Sequence, residues 1–127
     1  YLGPAEDVCH SMLEIKDYID WAVLISVTYY LSPDRLGQLL RTLGRLCRRG
    51  IVITHDGVPQ KMVETWNEVI DQKVAVYDHR KDFNNYRPSS LWSNEIVWSG
   101  IGWRGSKSGI EVPCDIIVMR KYGHFEI

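Results

Sequence analysis

Residues 21–56, WAVLISVTYYLSPDRLGQLLRTLGRLCRRGIVITHD, decide the fold. The run 21–30 is almost unbroken in apolar residues, rich in strand formers and too short to cross a bilayer. Ser32-Pro33-Asp34 then supplies an N-cap, a proline suited to the first helical position and an acid for the first turn. Leu36, Leu39, Leu40, Leu43, Leu46 and Cys47 recur at spacings of three and four. A helix places them on one arc, with Arg41, Arg45 and Arg48 opposite. Gly50 is expected to stop that helix in the left-handed conformation. Ile51-Val52-Ile53-Thr54 reads as a second buried strand, closed by His55-Asp56-Gly57. A strand, a helix and a strand of this length make a parallel crossover.

Outward from this unit the pattern continues. Residues 5–16 are weakly helical, with Val8, Met12 and Ile15 able to share a face. Residues 60–70 form a further helix carrying Met62, Val63, Trp66, Val69 and Ile70 on one side. Lys73-Val74-Ala75-Val76-Tyr77 is a third strand candidate, ending in Asp78-His79-Arg80. Residues 81–93 show no periodicity and read as a long irregular connection. Residues 95–103 and 110–122 are strands of a hairpin around a glycine- and serine-rich turn, with Pro113 suited to an edge or bulge. The fold class is α/β: a mostly parallel, three-layer sheet with a C-terminal antiparallel hairpin. One domain spans residues 1–127, with its core in 17–122.

Composition narrows the function classes. The chain has 127 residues, 45% of them hydrophobic and 24% charged, as in an ordinary globular domain. A net charge of -1 gives no global attraction to nucleic acid, so any such contact needs a local basic patch. Cys9, Cys47 and Cys114 are far apart and odd in number, which favours reduced thiols and a cytoplasmic setting over disulfides. No membrane span and no signal-type segment is present in the sequence. The chain opens on Tyr1-Leu2-Gly3-Pro4 without an initiator methionine, so it is expected to be a fragment of a longer protein.

In open parallel sheets the ligand crevice lies beyond the carboxyl ends of the strands. If the strands near Trp21, Ile51 and Lys73 run in parallel, three sets of polar tips share one rim. These are Tyr29-Tyr30 with Ser32, His55-Asp56, and Asp78-His79. Histidine titrates near neutrality and a carboxylate orients it, so His55, Asp56, Asp78 and His79 are the candidate catalytic residues. A His-Asp pair after a strand is more often turn chemistry, since Asp before Gly favours a turn. Tyr30 is either a core ring or a stacking platform, with Tyr29 on the opposite face. Arg80, Lys81 and Arg87 interleave with Phe83, Tyr86 and Trp92, a mixture suited to single-stranded RNA or a cap base. Arg87 and Trp92 are therefore candidate substrate-binding residues, and Trp98 and Trp103 extend that surface. Arg41, Arg45, Arg48 and Arg49 either track phosphates or keep the helix solvated. The histidines and cysteines lack zinc spacing, so no metal is expected, and there is no GxSxG elbow or P-loop.

The order of elements resembles the second half of a class I (Rossmann-like) S-adenosylmethionine-dependent methyltransferase. The likeness is carried by Asp20-Trp21-Ala22-Val23-Leu24-Ile25-Ser26-Val27-Thr28-Tyr29-Tyr30-Leu31, which looks like the fourth strand and following turn of that family. Residues 32–50 look like the next helix, 51–54 like the fifth strand, and the closing hairpin like the sixth and seventh. The Tyr-Tyr pair and Cys114-Asp115-Ile116-Ile117-Val118 are also similar to viral RNA-capping methyltransferases of the alphavirus-like group. The resemblance implies a methyltransferase-like fold that is incomplete here, because the family's glycine-rich turn after the first strand and the acid after the second are absent. It implies that S-adenosylmethionine is bound mainly by an upstream half of the parent protein, with RNA 5′ ends as substrate. A non-enzymatic, doubly wound interaction module is the rival reading, and hydrolytic phosphotransfer by the His and Asp cluster with a cation a third.

Overall fold

A computed structural model describes residues 4–70, 75–81, 83–105 and 109–122. Along the chain lie α1 (Ala5–Glu14), β1 (Ile19–Ile25), α2 (Pro33–Leu46), β2 (Cys47–Asp56), α3 (Gln60–Ile70), β3 (Glu95–Arg104) and β4 (Glu111–Arg120). Single 3-10 turns occupy Thr28–Tyr30 and Phe83–Asn85. The sheet runs β1-β2-β4-β3 among the described residues. β1 and β2 are parallel, and β4 pairs antiparallel with both β2 and β3. The class is thus mixed α/β with the expected antiparallel hairpin, and its parallel part, among the described residues, is the one crossover pair.

That crossover forms where the sequence places it. The Ser32 side chain caps α2 by accepting the Arg35 N–H at 3.4 Å, and Pro33 and Asp34 fill the first turn. Leu36, Leu39, Leu40, Leu43 and Leu46 are all buried. Each such side chain contributes on the order of 2 kcal/mol of burial free energy. They lie in one cluster with Ile51 and Ile53 of β2 and with Ile117 and Met119 of β4, the register partners of Ile53 and Ile51. Cys9 and Met12 of α1 pack against this cluster, and Glu6 reaches Arg35 of α2 at 2.9 Å.

Two expectations are corrected. The helix ends at Leu46, because Cys47 is already extended at φ -89, ψ 132. Gly50 is no cap. It lies in β2 opposite Trp21, where a Cβ would come within 2.2 Å of the indole. Arg48 and Arg49 are consequently strand residues. The third strand is not found in its described part: Lys73 and Val74 lie outside the described residues, and Ala75, Val76 and Tyr77 join no sheet. Tyr77 instead donates its backbone N–H to the Tyr29 carbonyl at 2.8 Å.

The 81–93 connection is more ordered than its sequence suggests. Phe83 and Trp92 are buried in the central cluster, and Trp92 makes an isolated bridge to Lys121. The opposite face of the sheet carries Trp21, Val23, Ile25, Trp98 and Trp103, all exposed, around half-buried Val52, Ile116 and Val118. No described helix is long and apolar enough to cross a membrane. Cys9, Cys47 and Cys114 are free thiols, the last two buried.

Candidate functional site

The rim is shaped first by how β1 stops. Ser26 takes a left-handed φ of 53, unusual for a residue with a Cβ. Its N–H is directed at Thr54, lying 3.0 Å from Oγ1 and 3.3 Å from the carbonyl. The chain therefore leaves the sheet and enters the 3-10 turn Thr28–Tyr30. Tyr29 and Tyr30 sit on that turn rather than at alternating strand positions. Their rings are 4.3 Å apart, so the expected opposition of faces is not found. Tyr29 is buried, whereas Tyr30 is 45% exposed and free to meet a ligand.

His55 at the end of β2 and His79 come together beneath this turn, with ring centroids 5.4 Å apart. The convergence anticipated from three parallel strands is thus achieved by two strands and a loop. Both rings are inaccessible, at 0% and 3% exposure. His55 Nε2 accepts the backbone N–H of His79 at 2.9 Å, so its proton is on Nδ1, which donates to Thr28 Oγ1 at 2.6 Å. His79 Nε2–H donates to the Leu31 carbonyl at 2.8 Å, leaving Nδ1 facing the Tyr86 hydroxyl at 3.4 Å. All four ring nitrogens have protein partners. The reading of His55 and His79 as acid–base groups open to substrate is corrected on that ground. Burial, then His79, hold the His55 pKa down at about 4, against the opposing pull of Asp78. Asp78 Oδ1 lies 3.6 Å from His55 Nε2, but a neutral ring makes no ion pair with it.

Asp78 is committed to Arg80. Its carboxylate takes Nε at 3.0 Å and Nη2 at 2.8 Å, and accepts the Arg80 backbone N–H at 3.0 Å. That hydrogen bonding lowers its pKa to about 2 and raises that of Arg80. Asp78, Arg80 and Lys81 line an open cavity of about 380 Å³.

On the other side of the sheet end, Asp56 faces Cys114 in register. Burial first, then Asp56, push the Cys114 thiol up to about 11. Burial, the Tyr30 hydroxyl and Asp56 together raise the pKa of Tyr29. Exposed Tyr30, half-buried Asp56 and exposed Asp78 are thus polar groups on this rim. Trp92 is 1% exposed, a core ring and no stacking platform, which removes it from the substrate-binding set. Phe83 is likewise buried and Tyr86 half-buried, so the aromatic members of the loop turn inward because the core takes them. Arg87 and Lys81 remain exposed. Two contributors escaped the sequence reading, Thr28 and Tyr77. The signal for Thr28 was a hydroxyl closing an apolar run. Among the described residues, no three His, Cys, Asp or Glu side chains gather as metal ligands.

No protein-family model matches the chain, and no curated protein matches it. Solved structures similar to it include two methyltransferases. Magnesium protoporphyrin IX methyltransferase from Synechocystis PCC 6803, crystallised with S-adenosylhomocysteine, is 12% identical with a TM-score of 0.46, over 80% of this chain and 44% of that one. A SAM-dependent methyltransferase from Anabaena variabilis is 13% identical with a TM-score of 0.56, over 95% of this chain and 57% of its own. The chain thus spans about half the length of these two structures. The second likeness shows the architecture: the described part of the chain is folded like part of a SAM-dependent methyltransferase.

Proposed function

We propose that this chain is the substrate-facing half of a class I S-adenosylmethionine-dependent methyltransferase acting on RNA 5′ ends, of the viral capping kind. The observation that carries the reading is the parallel crossover β1–α2–β2, whose two strand ends bring Tyr30 and Asp56 to one rim. The methyltransferase-type architecture supports it.

The residues present do not by themselves make a cofactor cradle. Among the described residues, no strand is followed by a glycine-rich turn opening a helix. The glycine-dense stretch Gly100, Gly102 and Gly105 belongs to β3 and its end. S-adenosylmethionine is accordingly held mainly by residues outside this chain, in an upstream half. The open edge of β1 and the apolar outer face of the sheet are where such a half would seat. Methyl transfer of this class needs alignment more than a covalent nucleophile. Tyr30 offers a face for a base, Asp56 a carboxylate for the acceptor, and Lys81 and Arg87 charge for phosphates. Asp78, tied to Arg80, shapes the neighbouring cavity. Three free thiols suit a reducing compartment such as the cytoplasm.

Calorimetric titration of S-adenosylmethionine into the longer polypeptide and into this chain tests the reading. Binding to the longer form, weakened or lost in the chain, is the expected result. Absence of binding to both sinks the reading and favours an interaction module, the second account, for which the exposed outer face is the specific support. Lys81→Ala with Arg87→Ala is expected to weaken binding of a 5′-triphosphate oligoribonucleotide and to flatten its salt dependence.

A further inference from the structure

We infer that His55 and His79 are positioning residues: together they clamp the turn at 28–31 and thereby set where the Tyr30 ring stands at the rim. This deepens the preceding proposal and, as regards substrate, rests on it. The clamp itself rests on geometry alone.

The turn is too short to hold its own place. Two backbone bonds close it internally, Tyr30 N–H to Val27 and Leu31 N–H to Thr28. Three further groups on it are tied from afar. Thr28 Oγ1 takes His55 Nδ1–H, the Tyr29 carbonyl takes the Tyr77 N–H, and the Leu31 carbonyl takes His79 Nε2–H. His79 is itself fixed to His55 through its backbone N–H. Every tie therefore leads to the end of β2 or to residues 77–79. Tyr30, stacked obliquely on Tyr29, has no such long-range bond among the described residues and goes where the turn goes.

An imidazole suits this role because the neutral ring donates on one side and accepts on the other. The two rings use opposite tautomers, one carrying its proton on Nδ1 and the other on Nε2. A phenyl ring would fill either space and make none of the bonds. A second proton on His55 would set Nε2–H against the His79 N–H, so the clamp requires a neutral ring. The titratable and charged groups facing His55 are His79, Asp78, Arg80 and Asp56, with Asp115 opposite it on β4. Burial, with His79 and Arg80 acting in the same direction, outweighs Asp78 and Asp56 and keeps the ring uncharged.

The test compares His79→Gln, whose side-chain N–H can still donate to the Leu31 carbonyl, with His79→Phe, which cannot. In the chain itself, nitrogen-15 NMR should find His55 as the Nδ1–H and His79 as the Nε2–H tautomer, with His55 neutral to about pH 5. Amide exchange at Tyr77 and His79 should accelerate about tenfold or more in His79→Phe and stay near wild type in His79→Gln. In the longer polypeptide, KM for a 5′-triphosphate oligoribonucleotide should rise about tenfold in His79→Phe with kcat and cofactor affinity kept, and recover in His79→Gln. The inference is overturned by the reverse tautomers, by a charged His55 at pH 6, or by unchanged exchange in His79→Phe. Wild-type polypeptide without transferase activity would remove the methyltransferase reading, while tautomers and exchange still decide the clamp.

Discussion

The two faces of the sheet are written in nearly the same alphabet and end in different states. Beneath α2, Ile51, Ile53, Ile117 and Met119 are sealed. On the reverse, Trp21, Val23, Ile25, Trp98 and Trp103 remain in solvent, Ile25 at 64% exposure. β1 reads IDWAVLI, with no polar alternation after Asp20. Such a run is the signature of a strand covered on both sides. Two of the outer tryptophans lie flat over glycines, Trp21 across Gly50 and Trp98 along Gly100, where a Cβ would approach the rings to 2.2 and 2.8 Å. Arg120 stacks on the Trp21 ring, 5.6 Å from its centroid. A low, ring-paved surface leaves room for a packed layer about 10 Å away, the usual spacing of a covering element. The lesson is that composition fixes what a face needs, whereas the chain at hand fixes whether it is met.

The sharpest way to break this contrast is truncation on each face. Leu40→Ala should lower the unfolding free energy by about 2–5 kcal/mol, because the fully buried side chain leaves a cavity beneath the sheet. Val23→Ala, on the reverse, should cost roughly 0.5 kcal/mol or less. Urea denaturation of both variants of the isolated chain measures the difference. Comparable losses would mean that the outer face is already covered in solution.

Much of the inner face was legible from the sequence, and the reasons are local. Ser32-Pro33-Asp34 and the leucine spacing placed α2, and the two apolar runs placed β1 and β2. What escaped was decided by tertiary neighbours. Gly50 looks like a helix stop until Trp21 is seen lying across it. Trp92 and Phe83 look like a solvent-facing loop because the core that claims them is distant in sequence. Residues 75–77 have strand composition, yet they serve the Tyr29 carbonyl instead of a ladder. At the site, His55-Asp56 was readable as a strand end, whereas Asp78 and His79 reach it on a loop and not on the third strand expected for them. Their roles were not readable, because only distances reveal that every imidazole nitrogen is already engaged.

Acid provides the next largest effect, and it acts on the inner side alone. The folded pKa of His55, about 4, lies below the ordinary value of 6.5. Between these values the unfolded chain binds more protons than the folded one, so stability falls as pH falls. The contribution is intact above about pH 6.5, declines toward pH 4 and amounts to roughly 3 kcal/mol in all. Asp78, depressed to about 2 by Arg80, adds a further loss only below about pH 4. Thermal melts from pH 7 to pH 4 should show the decline in the wild type and a flatter profile in His55→Phe. An equal slope in both would detach the acid response from this ring.

Gly50→Ala tests the paving of the outer face and is expected to cost about 1–3 kcal/mol, since the added methyl meets the Trp21 ring. If that clash is the cause, Trp21→Ala in the same chain should recover most of the loss, a coupling that a double-mutant cycle reads directly. Additive losses would indicate that the glycine matters for backbone reasons instead.

The smallest change in the isolated chain carries the most information about the two faces. Val23→Lys with Ile25→Lys places charge on exposed positions of β1, so the stability of the chain should move by no more than about 0.5 kcal/mol. If the proposed upstream half covers this face in a longer polypeptide, the same pair is buried beneath it, and unpaired buried charge is severely unfavourable. There the expected outcome is loss of S-adenosylmethionine binding together with a cooperative drop in Tm. A longer polypeptide that tolerates both lysines, with cofactor affinity intact, would show that this face looks outward in the finished protein. The proposed upstream half would then be confined to the β1 edge.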